Sequence, residues 1–183
     1  MILVRHAQTV FNVVFGAHRR DPGVRDPALT EEGHAQALAA AEMLGGNSVT
    51  RVIASPYWRA LQTAEIVAGA LSVPVEVEPL VRERAAFACD IGTPRSRLAE
   101  SWSEYAFHRL DEVWWAEAEE AESVLHDRCR KFCRNMSTRE DWPHVAVVTH
   151  WGVIKALTGK RVQNCETVRL DPTLVTSIPA DGG

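Results

Sequence analysis

Two histidines in this chain stand beside groups that could put them to chemical use. Arg5 and His6 follow the short apolar run that begins at the amino terminus, and His150 closes the run "HVAVVTH". Strands usually run out into Gly, Asn or Asp, so an arginine and a histidine side by side at that point need a chemical reason. A neutral imidazole can attack phosphorus and divide a hard hydrolysis into two steps through a phosphohistidine. Guanidinium groups such as those of Arg5 and Arg59 offer planar forks of donors that match phosphate oxygens. They stabilise the charge that spreads over a transferring phosphoryl group. They also disfavour the imidazolium, which keeps the attacking lone pair available. The leaving oxygen then needs a proton, which a nearby carboxylic acid can supply for about 10²–10⁴-fold in rate. Spacing alone does not choose that acid, and Arg59 by itself would pass for a surface side chain.

The elements that must carry these residues can be read from hydrophobic periodicity. Met1–Val4 is too short for a helix and suits a buried strand. Thr30 is placed to cap a helix over "EEGHAQALAAAEML", with Ala35, Leu38, Ala41 and Met43 or Leu44 on its apolar face and "GGN" at its end. "RVIAS" at 51–55 is a second buried strand. Ser55 and Pro56 are expected to cap and open a helix bearing Ala60, Ala64, Val67, Ala68 and Leu71 on one side. Residues 73–80 suggest a third strand, and a helix is expected from about Trp115 to Met136, with Glu117, Glu119, Glu120 and Glu122 as a solvated face. "HVAVVTH" is a fourth strand leading into a helix at "WGVIKAL", and "CETVRL" at 165–170 reads as an edge strand. Residues 84–113 carry no clear period, and 176–183 read as a frayed tail.

Strands alternating with helices predict an α/β protein, a three-layer α/β/α sandwich with a mostly parallel central sheet. Ligands of such sheets lie beyond the carboxyl ends of the strands, where His6, Ser55 and His150 would meet. At 183 residues one domain, 1–183, is expected. The net charge of −4 disfavours nucleic acid, yet a few arginines in one cleft could still bind an anion. No stretch has the make-up of a secretory signal or of a membrane span, and Cys89, Cys129, Cys133 and Cys165 lack disulfide-scaffold spacing, so a cytoplasmic protein with reduced thiols is expected. His126, Cys129 and Cys133 lie at helical spacing but lack an evident fourth metal ligand, which favours packing over a metal site.

In order along the chain, "LVRHAQTVFN", "LTEEGHAQA", "ASPYWRALQTAEIV", "PLVRER" and "VVTHWG" resemble the motifs of the histidine phosphatase superfamily, the phosphoglycerate mutase-like proteins. The likeness spans residues 2–170. It implies that His6 is the phosphorylated nucleophile, that Arg5, Arg59, His150 and Asn12 hold the phosphate, and that Glu83 gives and takes the proton, with Asp90 as the fallback acid. Thr9, Arg84 and Trp151 are placed in the substrate pocket, and 84–115 would cap it. Two positions depart from the family pattern, Ala7 and Trp151, each where glycine is usual. An indole after the second histidine could wall the pocket or turn into the core. Phe87, Trp102, Phe107, Trp114 and Trp115 are expected in the core first and as pocket walls second, while Arg19, Arg20, Arg25, Arg82, Arg84 and Arg95 could extend the positive field.

The implied activity is a metal-independent, cofactor-free phosphomonoesterase acting on a small phosphorylated metabolite. The chain lacks the "G-x-N-K" stretch of the glycolytic mutases after the acid, so phosphatase is favoured over mutase. A non-catalytic phospho-ligand-binding module is the reading from another class. No nucleic-acid or membrane partner is expected, and a homodimer is compatible with the sequence.

Overall fold

The computed structural model describes residues 1–177. Its centre is a five-stranded sheet in the order β3-β2-β4-β1-β5, formed by β1 (Ile2–Arg5), β2 (Arg51–Ala54), β3 (Val75–Val77), β4 (Val145–Thr149) and β5 (Thr167–Arg169). The first four run parallel, and β5 pairs antiparallel with β1 at the edge. Successive side chains of a strand point to opposite faces. Ile2, Val4, Val52, Ala54 and Val148 therefore face one core, packed by α2 (Glu31–Gly45) and α3 (Trp58–Leu71). Leu3, Ile53, Val145 and Val147 face a second core, packed by α5 (Glu122–Ser137) and α6 (Trp151–Thr158), while the short α4 (Arg95–Ser101) sends Leu98 into the first core. This is the expected three-layer α/β/α arrangement.

Register then does the positioning. Arg5 pairs with Thr149 across parallel strands. The residues that follow them, His6 and His150, consequently stand side by side at the carboxyl edge of the sheet. Ala54 pairs with Val148, which brings Ser55 to the same edge.

Several local expectations are corrected. Residues 10–18, for which the sequence predicts no element, form α1 (Val10–His18), started by a capping box between Thr9 and Asn12. The apolar face of α2 is Ala37, Ala40, Ala41 and Leu44, and Leu38 and Met43 are exposed. Ser55 does not cap α3, because its hydroxyl is engaged by His150 and the helix opens at Trp58 with no side-chain cap. The third strand ends at Val77, where a Glu78-capped 3-10 turn takes over.

The long fifth helix starts at Glu122 rather than near Trp115. The preceding residues are drawn out of helix because Glu120 donates its N–H to Ala85 O and turns its carboxylate inward to Arg82 and Arg128. Glu120 is therefore buried and not part of a solvated face. At the carboxyl end, Pro172–Ser177 form a 3-10 turn where fraying was expected from 176, and 178–183 lie outside the described residues. All four cysteines are buried, unpaired thiols. Among the described residues no cluster of His, Cys, Asp or Glu has the make-up of a metal site, and no helix is long and apolar enough to cross a membrane.

Candidate active site

The carboxyl edge of the sheet opens into a cleft of ≈ 690 Å³. Arg5, His6, Thr9, Asn12, Arg59, Glu83, Arg84, Asp90, Trp151 and Gly152 all line it. The motifs that lie far apart in sequence are thus gathered in one place, with one exception in exposure. His150 has its ring centroid 5.2 Å from that of His6 but is fully covered and lies behind the cleft wall.

The His6 ring is fixed by one contact. Its Nδ1 is 2.7 Å from the carbonyl oxygen of Ala7. A carbonyl only accepts, so Nδ1 carries the hydrogen and Nε2 keeps its lone pair. Burial, followed by repulsion from Arg59 and Arg5, pushes the His6 pKa well below the ordinary histidine value against the opposing Ala7 bond. The imidazole is neutral at neutral pH. His150 is displaced in the same direction, again by burial first and then by Arg59. Its Nε2 is 2.7 Å from the Ser55 hydroxyl, and the edge of its ring meets Tyr57. Ala7 keeps a backbone angle outside the left-handed region, so glycine is not needed there.

Arg59 is the most completely anchored cation. Its Nη1 donates to Cys89 O at 2.8 Å, its Nη2 to Asp90 Oδ1 at 3.1 Å, and Asp26 Oδ1 lies 3.8 Å away. The guanidinium also stacks 4.3 Å from the Tyr57 ring centroid. Burial opposes its charge, but the Asp90 and Asp26 carboxylates beside it favour the charged form, and its pKa is raised. Asp90, expected as a fallback acid, is therefore held in an ion pair, with its second oxygen accepting from Ala86 N–H and Phe87 N–H. Arg5 donates through Nη1 to Val162 O at 2.8 Å.

Two buried polar atoms have no partner among the described residues, Arg5 Nε and His150 Nδ1. Buried donors and acceptors are nearly always satisfied, and orphans mark places where a ligand or water completes the site. Both belong to the expected phosphate clamp. Asn12 adds donors of its own. Its Oδ1 accepts from Thr9 N–H, Thr9 Oγ1 and Asn164 Nδ2, which turns its Nδ2 the other way on a residue that lines the cleft.

The Glu83 carboxylate rests against the first turn of α6. Its Oε2 accepts from Gly152 N–H at 3.1 Å and its Oε1 from Arg84 N–H at 2.9 Å. Burial, and then the Asp90 charge, raise its pKa against those two bonds. Gly152 is required by this contact, since a Cβ there would lie 2.4 Å from Glu83 Oε1. The loop that carries Glu83 is tied down by Arg128, which donates to Leu80 O, Arg82 O and both Glu120 oxygens. Trp151 lines the cleft with one edge, packs on the core beneath α6, and holds Lys155 Nζ 5.1 Å from its ring.

The segment expected to cap the cleft divides in two. Arg84, Ala86, Phe87, Cys89 and Asp90 line it, whereas Trp102, Phe107 and Trp114 pack into the core against α3 and Tyr57. Of the arginines considered for the positive field, Arg19 and Arg84 reach the cleft, and Arg82 and Arg95 are paired with Glu120 and Glu112. Ser55 lies at this edge as expected, but as the partner of His150, and Asp26, Gly152 and Asn164 are site residues that the sequence does not single out. Asp26 and Asn164 lie in loops with no periodic or motif signal, and only their partners, Arg59 and Asn12, could have hinted at them.

The fold and this cluster of imidazoles, guanidinium groups and a buried carboxylate define an α/β protein with a cationic cleft at the carboxyl edge of its parallel strands. The histidine phosphatase superfamily (branch 1) model matches residues 1–183, and the chain belongs to that superfamily. It is 30% identical over 173 residues to a glucosyl-3-phosphoglycerate phosphatase of Mycolicibacterium vanbaalenii, which covers 86% of this chain and 72% of that protein. It is 42% identical over 81 residues to a probable phosphoglycerate mutase, GpmB, of Erwinia tasmaniensis, covering 44% of this chain and only 36% of the mutase. Among solved structures, "Mycobacterial hydrolase 1" shares the fold at a TM-score of 0.67 with 23% identity, over 91% of this chain and 86% of that one.

Proposed function

We propose that the protein is a phosphomonoesterase that works through a phosphohistidine on His6. The observation that carries this reading is the protonation pattern: the Ala7 carbonyl takes the Nδ1 hydrogen, so the Nε2 lone pair of a neutral ring is left to attack. In the first step Nε2 bonds to phosphorus and the ester P–O bond breaks, its electron pair leaving with the alcohol oxygen. Glu83, whose raised pKa favours the protonated acid, gives that oxygen its proton. In the second step a water attacks phosphorus, Glu83 takes a proton from it, and the P–N bond breaks to return neutral His6 and release phosphate.

Arg5, Arg59, Asn12 and His150 hold the phosphoryl oxygens throughout. The unpartnered Arg5 Nε and His150 Nδ1 support this assignment, because an oxyanion would satisfy both. As the His150 ring is fully covered, the phosphoryl group must sit deep against His6 to reach it. Guanidinium charge does the work that Mg²⁺ does in other phosphoryl-transfer sites, so the reading needs no metal or cofactor.

Phosphate release from a generic aryl phosphate, with acid-labile radiolabel trapped on wild type and absent from His6→Ala, tests the proposal. Label retained by His6→Ala would overturn it. The mutase reading is favoured by the GpmB segment match. Rapid interconversion of 3- and 2-phosphoglycerate with little free phosphate would establish that reading instead. Ligand binding without phosphohistidine in the wild-type protein would point to the non-catalytic module.

A further inference from the structure

One wall of the cleft takes no part in the chemistry above. Phe11 and Phe15 stand one turn apart on α1, with ring centroids 5.3 Å apart and planes only 11° from parallel. Phe87 comes from the opposite loop and meets both, at 5.5 Å and 5.1 Å. All three line the cleft, yet Phe87 is 43% exposed. A ring left open to water in this way forgoes burial that a core position would supply.

The Phe87 backbone is not loose. Asp90 accepts its N–H through Oδ2 while gripping Arg59 through Oδ1, and Asp21 accepts the next N–H, that of Ala88. One carboxylate therefore fixes the phosphate-binding arginine and the outermost ring in a common frame. Three of the cationic side chains lining the cleft are engaged. Arg84 donates to Glu119 and to Glu120 O, and Arg59 and Arg5 belong to the floor. The remaining cleft arginines, Arg19 and Arg161, are exposed, and the Arg19 guanidinium lies over the Phe15 ring, 5.9 Å from its centroid.

We infer that Phe11, Phe15 and Phe87 form a recognition wall for the leaving group, and that the preferred substrates are phosphomonoesters whose alcohol carries a planar apolar ring. This rests on the phosphatase reading for its chemistry but not for its binding test. A ring on the alcohol would gain edge-to-face or offset contacts with the wall and cover Phe87, whereas a carboxylated or polyhydroxylated alcohol would desolvate polar groups against apolar rings.

The test compares 2-phenylethyl phosphate with ethyl phosphate, whose leaving oxygens are chemically alike. Binding to His6→Ala, which cannot turn over by the proposed route, is measured by calorimetry, and kcat/KM is measured on wild type. The wall predicts about tenfold or tighter binding of the phenylethyl ester, with the same preference in kcat/KM. Phe87→Ser, on an exposed loop position, and Phe15→Ala should each reduce that preference severalfold, with folding checked by circular dichroism. Equal binding of the two esters, a preference unaltered in both folded variants, or tighter binding of 3-phosphoglycerate than of the phenylethyl ester overturns the wall. Selective binding of the ring with no phosphate release and no phosphohistidine in wild type would leave the wall standing and remove the phosphatase reading.

Discussion

Replacing Gly152 by alanine should separate the candidate acid from the fold. The new Cβ would lie 2.4 Å from Glu83 Oε1 and 3.2 Å from Cδ, where ordinary contact begins at 3.4 Å. The clashing atoms are the far end of a flexible side chain, so the carboxylate gives way and the backbone need not. Glu83 must retreat by about 1 Å, and a displacement of that size can cost about 10²-fold in rate. Helix stability moves the other way, since alanine is favoured over glycine in a helix by up to about 1 kcal/mol. The expected result is a protein with unchanged or slightly raised Tm and kcat reduced about a hundredfold on an alkyl phosphate. An aryl ester with a good leaving group needs less help in the first step, so with it the phosphohistidine should accumulate as water activation fails. Rapid-quench trapping of the phosphoenzyme beside circular dichroism melts measures both. Unchanged kcat on both esters in the folded variant would refute the placement of Glu83 as the acid.

Stability should fall as pH drops below about 6.5, because an unfolded histidine binds a proton there that His6 and His150 refuse in the native state. Each contributes a slope of up to about 1.4 kcal/mol per pH unit, readable from urea midpoints between pH 7.5 and 5.5, and a flat profile would contradict the buried neutral rings. Glu83 works in the opposite sense, since its raised pKa makes the native state bind more protons than the unfolded chain above about 4.5. Glu83→Gln should therefore abolish turnover and steepen the acid loss of stability. Arg128→Met leaves Glu120 with Arg82 alone and should cost about 3–5 kcal/mol in chemical denaturation. It should also lower kcat by releasing the loop that bears Glu83. Asp90→Asn should raise KM for any phosphoester at least tenfold through a loosened Arg59, and an unaltered KM would deny that role. Activity should survive exhaustive chelation, and restoration of a chelated, inactive protein by Mg²⁺ would contradict the arginine-based mechanism.

Much of this was decided locally. Apolar runs ending on Arg5–His6 and on His150, with helices between them, were enough to anticipate parallel strands and a shared edge, because strand period and crossover geometry are short-range consequences of residue type. Motif order likewise singles out Glu83 and Arg59. The tertiary structure decided what those residues touch. No spacing foretold that Ser55 would bond to His150 and leave α3 uncapped, that Asp90 would pair with Arg59, or that Glu120 would turn inward to Arg82 and Arg128. Nor did periodicity join Phe87 to Phe11 and Phe15. Partners of a buried charge or an exposed ring are set by which loops the packed helices bring together across the sheet, and that energy is shared among residues scores of positions apart, where a linear pattern carries no trace of it.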